Sequence, residues 1–241
     1  MAIAIGNNTT GDSGSAGGTF DAVMPTGANG SSITLVIISS ANDVGTAIGS
    51  WTLPAGWTQI AIDTITGTTR PQCLQAAWSL GNNTNLTFTK SGSVKYLGWK
   101  VIDFTGVDLT TPIDATGTSN NNTGLGTITA NAVTIITDQA WHLIAADDWN
   151  VAGGTISAPS FSSLQSVGPD ASACLLYNST PKAPGSTGTV VVTGTGGTDA
   201  NNAMNAIPFA LRPTSTGGGG ILYINNLFRD IFSSSIINGI Q

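Results

Sequence analysis

SITLVIIS (residues 32–39) and VKYLGWKVIDFTGVD (94–108) decide how this chain folds. The first is an unbroken apolar, β-branched run. It is too short to span a membrane, and it reads as a strand buried on both faces. The second is the longest strand candidate. Working outward, GWTQIAID (56–63) alternates, RPQCLQAAWSL (70–80) is another strand, and NLTFTKS (85–91) follows the turn GNNT. TITANAVTI (127–135), WHLIAADDW (141–149), ACLLYNST (173–180), TGTVVVTGT (187–195) and NAMNAIPFALRP (202–213) complete the set. That makes about ten strands, with turn clusters recurring about every 8 to 15 residues. Helical spacing is almost absent before Gly217, and no repeat of fixed period is visible. The expectation is an all-β chain, a β-sandwich or jelly roll.

Composition narrows the function classes. Charged residues make up 8% of the 241 residues, against about 25% in an ordinary soluble domain. Hydrophobic residues make up 40%, so the chain has the means to build a core and is not of the disordered class. Its polarity comes from Thr, Ser, Asn and Gly, which favour turns and exposed strand faces. The formal net charge is −6, and the seven Lys and Arg residues form no cluster. Phosphate neutralisation on a nucleic acid and adsorption to an anionic membrane are therefore not expected. The opening MAIAIGNNTTGDSG lacks the basic and long apolar regions of a secretory signal. Export by that route is not expected; release by lysis, inside an assembled particle, fits better.

The domain plan has four parts. Residues 1–18 are rich in Gly, Asn, Ser and Thr and read as a flexible arm. Residues 19–213 form the β domain, 214–220 a Gly-rich linker, and 221–241 a hydrophobic tail. In the tail, Ile224, Leu227, Phe228, Ile231 and Phe232 follow the i, i+3, i+4, i+7, i+8 template. Asn225, Asn226, Arg229 and Asp230 take the other face and interrupt any membrane span. The expectation is an amphipathic helix of about two to four turns, marginal alone in water, whose apolar face must dock. Its candidate contact residues are Ile221, Leu222, Ile224, Leu227, Phe228, Ile231, Phe232, Ile236 and Ile237. Three docking sites compete: the chain's own β domain, copies of itself in a homo-oligomer (a trimer is the guess), or another protein.

Candidate chemistry is sparse. The one histidine, His142, lies near Asp147 and Asp148 in AWHLIAADDW. On a strand, His142 and Asp148 share a face about 20 Å apart and cannot cooperate. Asp103, Asp108, Asp114, Asp147 and Asp148 are the carboxylates a glycosidase-type pair would draw on. All thirteen acidic residues are Asp, mostly beside turn formers that they can cap. No D-x-D-x-D loop marks a Ca²⁺ site, and GTGGTDANN (194–202) lacks the lysine of a phosphate loop. Cys73 and Cys174 sit in apolar runs and read as buried free thiols. No catalytic residue, metal ligand or cofactor is assigned. Among six tryptophans, Trp51 and Trp149 lie in loop-like contexts and are the candidates for stacking on a sugar ring.

LPAGWTQIA (53–61), AAWSL (76–80), LTFTKSG (86–92), GWKVIDFTGVDLTTPIDA (98–115) and AIPFALRP (206–213) carry a resemblance. The pattern is a P-x-G-W-T turn, a strand into F-x-G-V-D, a P-I-D turn and a closing strand ending in L-R-P. It resembles β-sandwich domains of bacteriophage virion proteins and some bacterial surface proteins, over residues 30–213. The resemblance implies a non-enzymatic module on a particle surface: a capsid decoration, minor capsid, head-fibre or tail-associated protein. Its partners would be other virion proteins such as the major capsid protein. It would be made in the host cytoplasm and exposed on the virion surface. The alternative is a carbohydrate- or receptor-binding module of a phage tail or cell-surface adhesin, contacting a glycan. The resemblance brings no catalytic residues.

Overall fold

The computed structural model describes residues 1–13, 18–43, 46–66, 71–81, 84–92, 94–123, 126–149, 155–166, 171–195 and 203–215. In chain order its strands are β1 (Ala4–Ser13), β2 (Thr19–Ala22), β3 (Ile33–Ala41), β4 (Thr58–Ile65), β5 (Gln72–Leu80), β6 (Leu86–Thr89), β7 (Tyr96–Thr105), β8 (Ile113–Thr116) and β9 (Asn120–Thr123). They continue with β10 (Thr127–Ala130), β11 (Thr134–Ile135), β12 (Ala140–Trp149), β13 (Ile156–Ser157), β14 (Ser162–Gln165), β15 (Ala171–Lys182), β16 (Gly185–Ser186), β17 (Val190–Gly194) and β18 (Ala203–Leu211). No helix occurs among the described residues.

Two main sheets, antiparallel throughout, pack face to face. One has the order β1-β7-β3-β5-β4; the other runs β14-β15-β12-β18-β8, with β9 also pairing β18. Alternation along each strand sends every second side chain inward. Ile33, Leu35, Ile37, Ile102 and Phe104 from the first sheet meet Leu143, Ala145, Leu175, Ile207 and Phe209 from the second in one core. The outer faces are covered as well. Over the first sheet, Trp51, Trp57 and Phe88 pack on Val36, Ile38 and Val101. Over the second, Ile128, Ile156 and Val192 from β10, β13 and β17 pack on Ile144, Ala146 and Leu176. This four-layer stack explains the unbroken apolar run SITLVIIS (32–39). Every residue of β3 and of β18 is buried, because a central strand covered on both faces has no solvent side on which to place polar residues.

The two sheets are built alike. In chain order, β1, β3, β4, β5 and β7 of the first correspond to β8/β9, β12, β14, β15 and β18 of the second, in the same sheet positions. The covering strands match in register. Thr89 faces both Thr19 and Thr52; Thr193 faces both Thr127 and Ser157. The Lys90 N–H donates to the Gly18 carbonyl, and the Gly194 N–H to that of Gly126. Each half turns into its edge strand alike: the Trp57 N–H donates to the Pro54 carbonyl and the Phe161 N–H to that of Ala158. The residue before each aromatic is left-handed, Gly56 at φ 84° and Ser160 at φ 65°. The chain is thus two copies of one topology sharing one core. No fixed period shows in the sequence because the shared property is burial, not residue identity: CLQAAW matches SACLLY.

Nine of the ten expected strands are present as single strands; the tenth, TITANAVTI (127–135), is broken at residues 131–133 into β10 and β11, which pair with β17 and β16 in separate sheets. The arm is a correction. Ala4–Ser13 is not flexible but forms β1, paired with β7 from Ala4↔Thr105 to Ser13↔Leu97. An edge strand needs only backbone partners on one side, so a polar stretch such as NNTTG can occupy it without an apolar signal. The expected tail helix lies outside the described residues.

Candidate functional site

Three of the motifs that carried the resemblance, F-x-G-V-D, P-I-D and L-R-P, converge at one end of the stack, where the two halves join. Val107 of F-x-G-V-D bridges Pro213 of L-R-P. The Asp108 N–H donates to the Arg212 carbonyl (2.9 Å), the Arg212 N–H to that of Pro112 (2.8 Å), and the Thr214 N–H to that of Gly106 (2.8 Å). Asp108 Oδ1 accepts from the Thr110 and Thr111 N–H groups, holding the turn that leads to P-I-D. Asp114 is fully buried and accepts from the Ile136 N–H (2.7 Å), the Thr137 N–H (3.1 Å) and Arg212 Nε (3.3 Å). Burial works against its charge, but these bonds from Thr137 and Ile136, with the Arg212 guanidinium, outweigh it and hold the carboxyl below its ordinary range. Gly106 sits at φ 72°, and a Cβ there would run into the Ala2 carbonyl. The chain start, the crossing between halves and the end of β18 are therefore tied into one knot, called here the seam end. A groove of about 400 Å³ lies beside it, lined by Met1, Ala2, Gln139, Pro213 and Ser215 among others.

A second polar cluster lies between the sheets toward the far end. Asp147 of β12 is wholly buried. Its carboxylate accepts from Ser39 Oγ (3.0 Å), from the Asn205 N–H (2.7 Å) and from Asn205 Nδ2 (3.0 and 3.2 Å). Asn205 Nδ2 also reaches Gln72 Oε1 (3.3 Å). Nearby, Asn121 Nδ2 donates to Asp63 Oδ1 (3.0 Å). No cation neutralises Asp147 among the described residues; burial pushes its carboxyl up to about 7, with the Asp63 charge adding to the rise. Asp148, next along β12, points to the opposite face, and burial together with Asp147 raises it to about 7. The two neighbours thus cannot act on one substrate. Asp103 lies on the outer face of the first sheet beside Gly6, its carboxyl raised by burial.

Trp51 is not an exposed stacking platform: it is 2% exposed, edge-on to Phe20 at 4.8 Å. Its backbone is clamped by Gln75, which accepts from the Trp51 N–H (2.8 Å) and donates to its carbonyl (3.0 Å). The loop-like context misled because this loop crosses the outer face of a sheet. Trp149 ends β12, and its side chain lies outside the described residues, as do all nine tail candidates. His142 is buried against Phe161, and burial lowers it to about 4, so it is neutral at neutral pH. Cys73 and Cys174 are buried free thiols, both pushed up to about 12 by burial. Among the described residues, no group of three or more His, Cys or Asp side chains is placed to hold a metal ion. The knot and the Asp147 cluster have no single-residue signature; the first is foreshadowed only by the motif spacing.

Comparison with protein-family models, curated proteins and solved structures found no match. The resemblance to virion sandwich domains therefore rests on the motifs alone.

Proposed function

We propose that this chain is a non-enzymatic structural protein of a virus particle, its β-sandwich the displayed part and residues 221–237 its assembly element. One observation carries the reading. Over their central strands, both main sheets are covered on both faces by elements within residues 1–215. Among the described residues, the central strands offer no open sheet face for the apolar segment that follows Gly217–Gly220 in the sequence. Each Ile, Leu or Phe of such a segment gains about 1.5–3 kcal/mol on burial, a strong drive toward a partner surface. The low charge and neutral polar composition suit a displayed module, and the motif resemblance supplies the virion setting. The glycan-binding reading loses support, since Trp51 is in the core.

The test compares the full chain with a version ending at Ser215, by size exclusion with light scattering and by thermal melting. The expected result is an oligomeric full chain and a smaller, folded truncation with an unchanged melting temperature. Two monomers, with the truncation melting lower, would mean that the tail folds back on its own domain and would overturn the proposal.

A further inference from the structure

Strands from both halves send polar side chains into one end of the inter-sheet space. Residues directly paired on neighbouring strands point to the same face, and Leu74 and Ala173 belong to the shared core. Ser39 and Asp63 both pair with Leu74, and Asp147 pairs with Ala173. Asn205 pairs with Asp147, and Asn121 with Asn205. Gln72 stands two residues from Leu74 on β5. All of these therefore face inward at one level. Ser39, Asp63, Gln72, Asp147 and Asn205 are each more than nine-tenths buried.

The hydrogen bonds drawn above leave this cluster incomplete. Among the described residues neither Asp63 nor Asp147 has a Lys or Arg partner. Asp63 Oδ1 is engaged by Asn121, but Asp63 Oδ2 has no hydrogen-bond partner, and neither has Asn205 Oδ1. Orphaned oxygens in a buried place are costly unless a cation or donor meets them. A half-turn of the Asn205 amide exchanges its oxygen and nitrogen at nearly the same positions. Asn205 Oδ1 then stands where Nδ2 is, 3.0 and 3.2 Å from the Asp147 oxygens and 3.3 Å from Gln72 Oε1. Ser39 Oγ is 3.0 Å from Asp147 Oδ2. Oxygens that share a Ca²⁺ ion at about 2.4 Å stand about 3–3.5 Å apart. The set is all oxygen, without the nitrogen or sulfur ligands that zinc takes. Two carboxylates match one divalent charge, and neutral amide and hydroxyl oxygens can complete a Ca²⁺ shell. Mg²⁺ demands a near-ideal octahedron and keeps several waters, which so buried a set does not offer.

We propose that Asp147, Asn205, Gln72, Ser39 and Asp63 form a Ca²⁺ site that clamps the two halves of the sandwich together at the far end. Asp147 and the amide oxygens of Asn205 and Gln72 hold the ion, and Asp63 brings the second charge. The ligands come from β3, β4 and β5 of the first half and from β12 and β18 of the second, so the ion ties the halves where the seam knot does not reach. Without metal the carboxylates stand uncompensated, the state in which burial disfavours ionised Asp147.

The test uses the full-length chain at pH 8, stripped of metal with a chelator and then freed of the chelator. Ca²⁺ binding is read by titration calorimetry and by thermal melting. One ion per chain is expected. With free Ca²⁺ at about a hundredfold excess over the dissociation constant, melting should rise by about 5–10 °C for a chain of this size. Mg²⁺ should do less, and KCl at equal ionic strength nothing. Asp63→Asn and Asp147→Asn keep the side-chain shape; each should weaken binding by at least about tenfold and lose most of the melting rise. Asp103→Asn, on the outer face of the first sheet, should bind as the native chain does. Circular dichroism establishes that each variant is folded before it is titrated. No bound Ca²⁺ overturns the proposal. So does binding that either Asp63→Asn or Asp147→Asn retains in full, and so does a melting rise that Mg²⁺ or KCl reproduces.

Discussion

Asp147→Asn offers a sharp test of the inter-sheet cluster. The carboxyl is wholly buried, accepts three kinds of donor and has only neutral partners. Burial raises it from an ordinary 3.8 to about 7. The folded state therefore holds a proton that the unfolded state releases between those two values. By linkage, the contribution of Asp147 to stability falls as pH rises through that window, and is flat above and below it. A rise of about three pH units, at about 1.4 kcal/mol each, makes ionised Asp147 a burden of about 4 kcal/mol at pH 8. Asparagine removes the charge and keeps the shape. Its Oδ1 still accepts from the Asn205 N–H, and its amide donates to Ser39. Asn205 turns its Oδ1 toward position 147, an atom that has no partner in the native arrangement. Allowing about 2 kcal/mol for weaker neutral hydrogen bonds, the variant gains about 2 kcal/mol at pH 8. At about 2–4 °C per kcal/mol for a chain of this size, its melting temperature rises by about 5 °C. The assay is thermal melting from pH 4 to 8. Buried His142, lowered to about 4, opposes the trend below about 6.5 in both proteins, so the readout is the difference: the native chain gains on the variant as pH falls, and the variant's Asp148, relieved of a neighbouring charge, titrates lower. A variant that melts at or below the native chain at pH 8, with the native pH slope intact, refutes the reasoning.

Three further outcomes are expected. Gly106→Ala combines a left-handed backbone with collision against Ala2 and should cost at least about 2 kcal/mol in denaturant unfolding. Asp114→Ala strands the Ile136 and Thr137 N–H groups and the Arg212 side chain; a loss of about 3 kcal/mol is expected near neutral pH. Because the Asp114 carboxyl is lowered, that difference should be full above the ordinary range near 4 and fade as pH falls through its lowered value. Finally, a thiol reagent should modify neither cysteine of the native chain and both after unfolding, since both thiols are buried and pushed up to about 12.

The sequence alone determined the all-β class and the positions of the central strands. Apolar, β-branched runs such as SITLVIIS have few other uses, and Gly, Asn and Pro punctuate them where the backbone must turn. It also determined that the cysteines lie in apolar strands, and that His142 and Asp148, on one strand, are too far apart to cooperate. Tertiary structure decided the rest. β1 is a strand because β7 offers it an unpaired edge, which no local pattern in NNTTG announces. Trp51 is core because a covering loop carries it onto a sheet. Nothing in the letters around Asp147 marks it; the sheet laid over it brings Ser39 and Asn205 to its oxygens and removes water. The motifs F-x-G-V-D, P-I-D and L-R-P could be recognised as spaced strings, but their convergence into one knot is a long-range event: Asp114 and Arg212 are neighbours in space and far apart in the chain. The repeated topology was hidden for a related reason. Many residues can fill a buried position of a given face, so two halves can keep one fold and one register while their letters diverge.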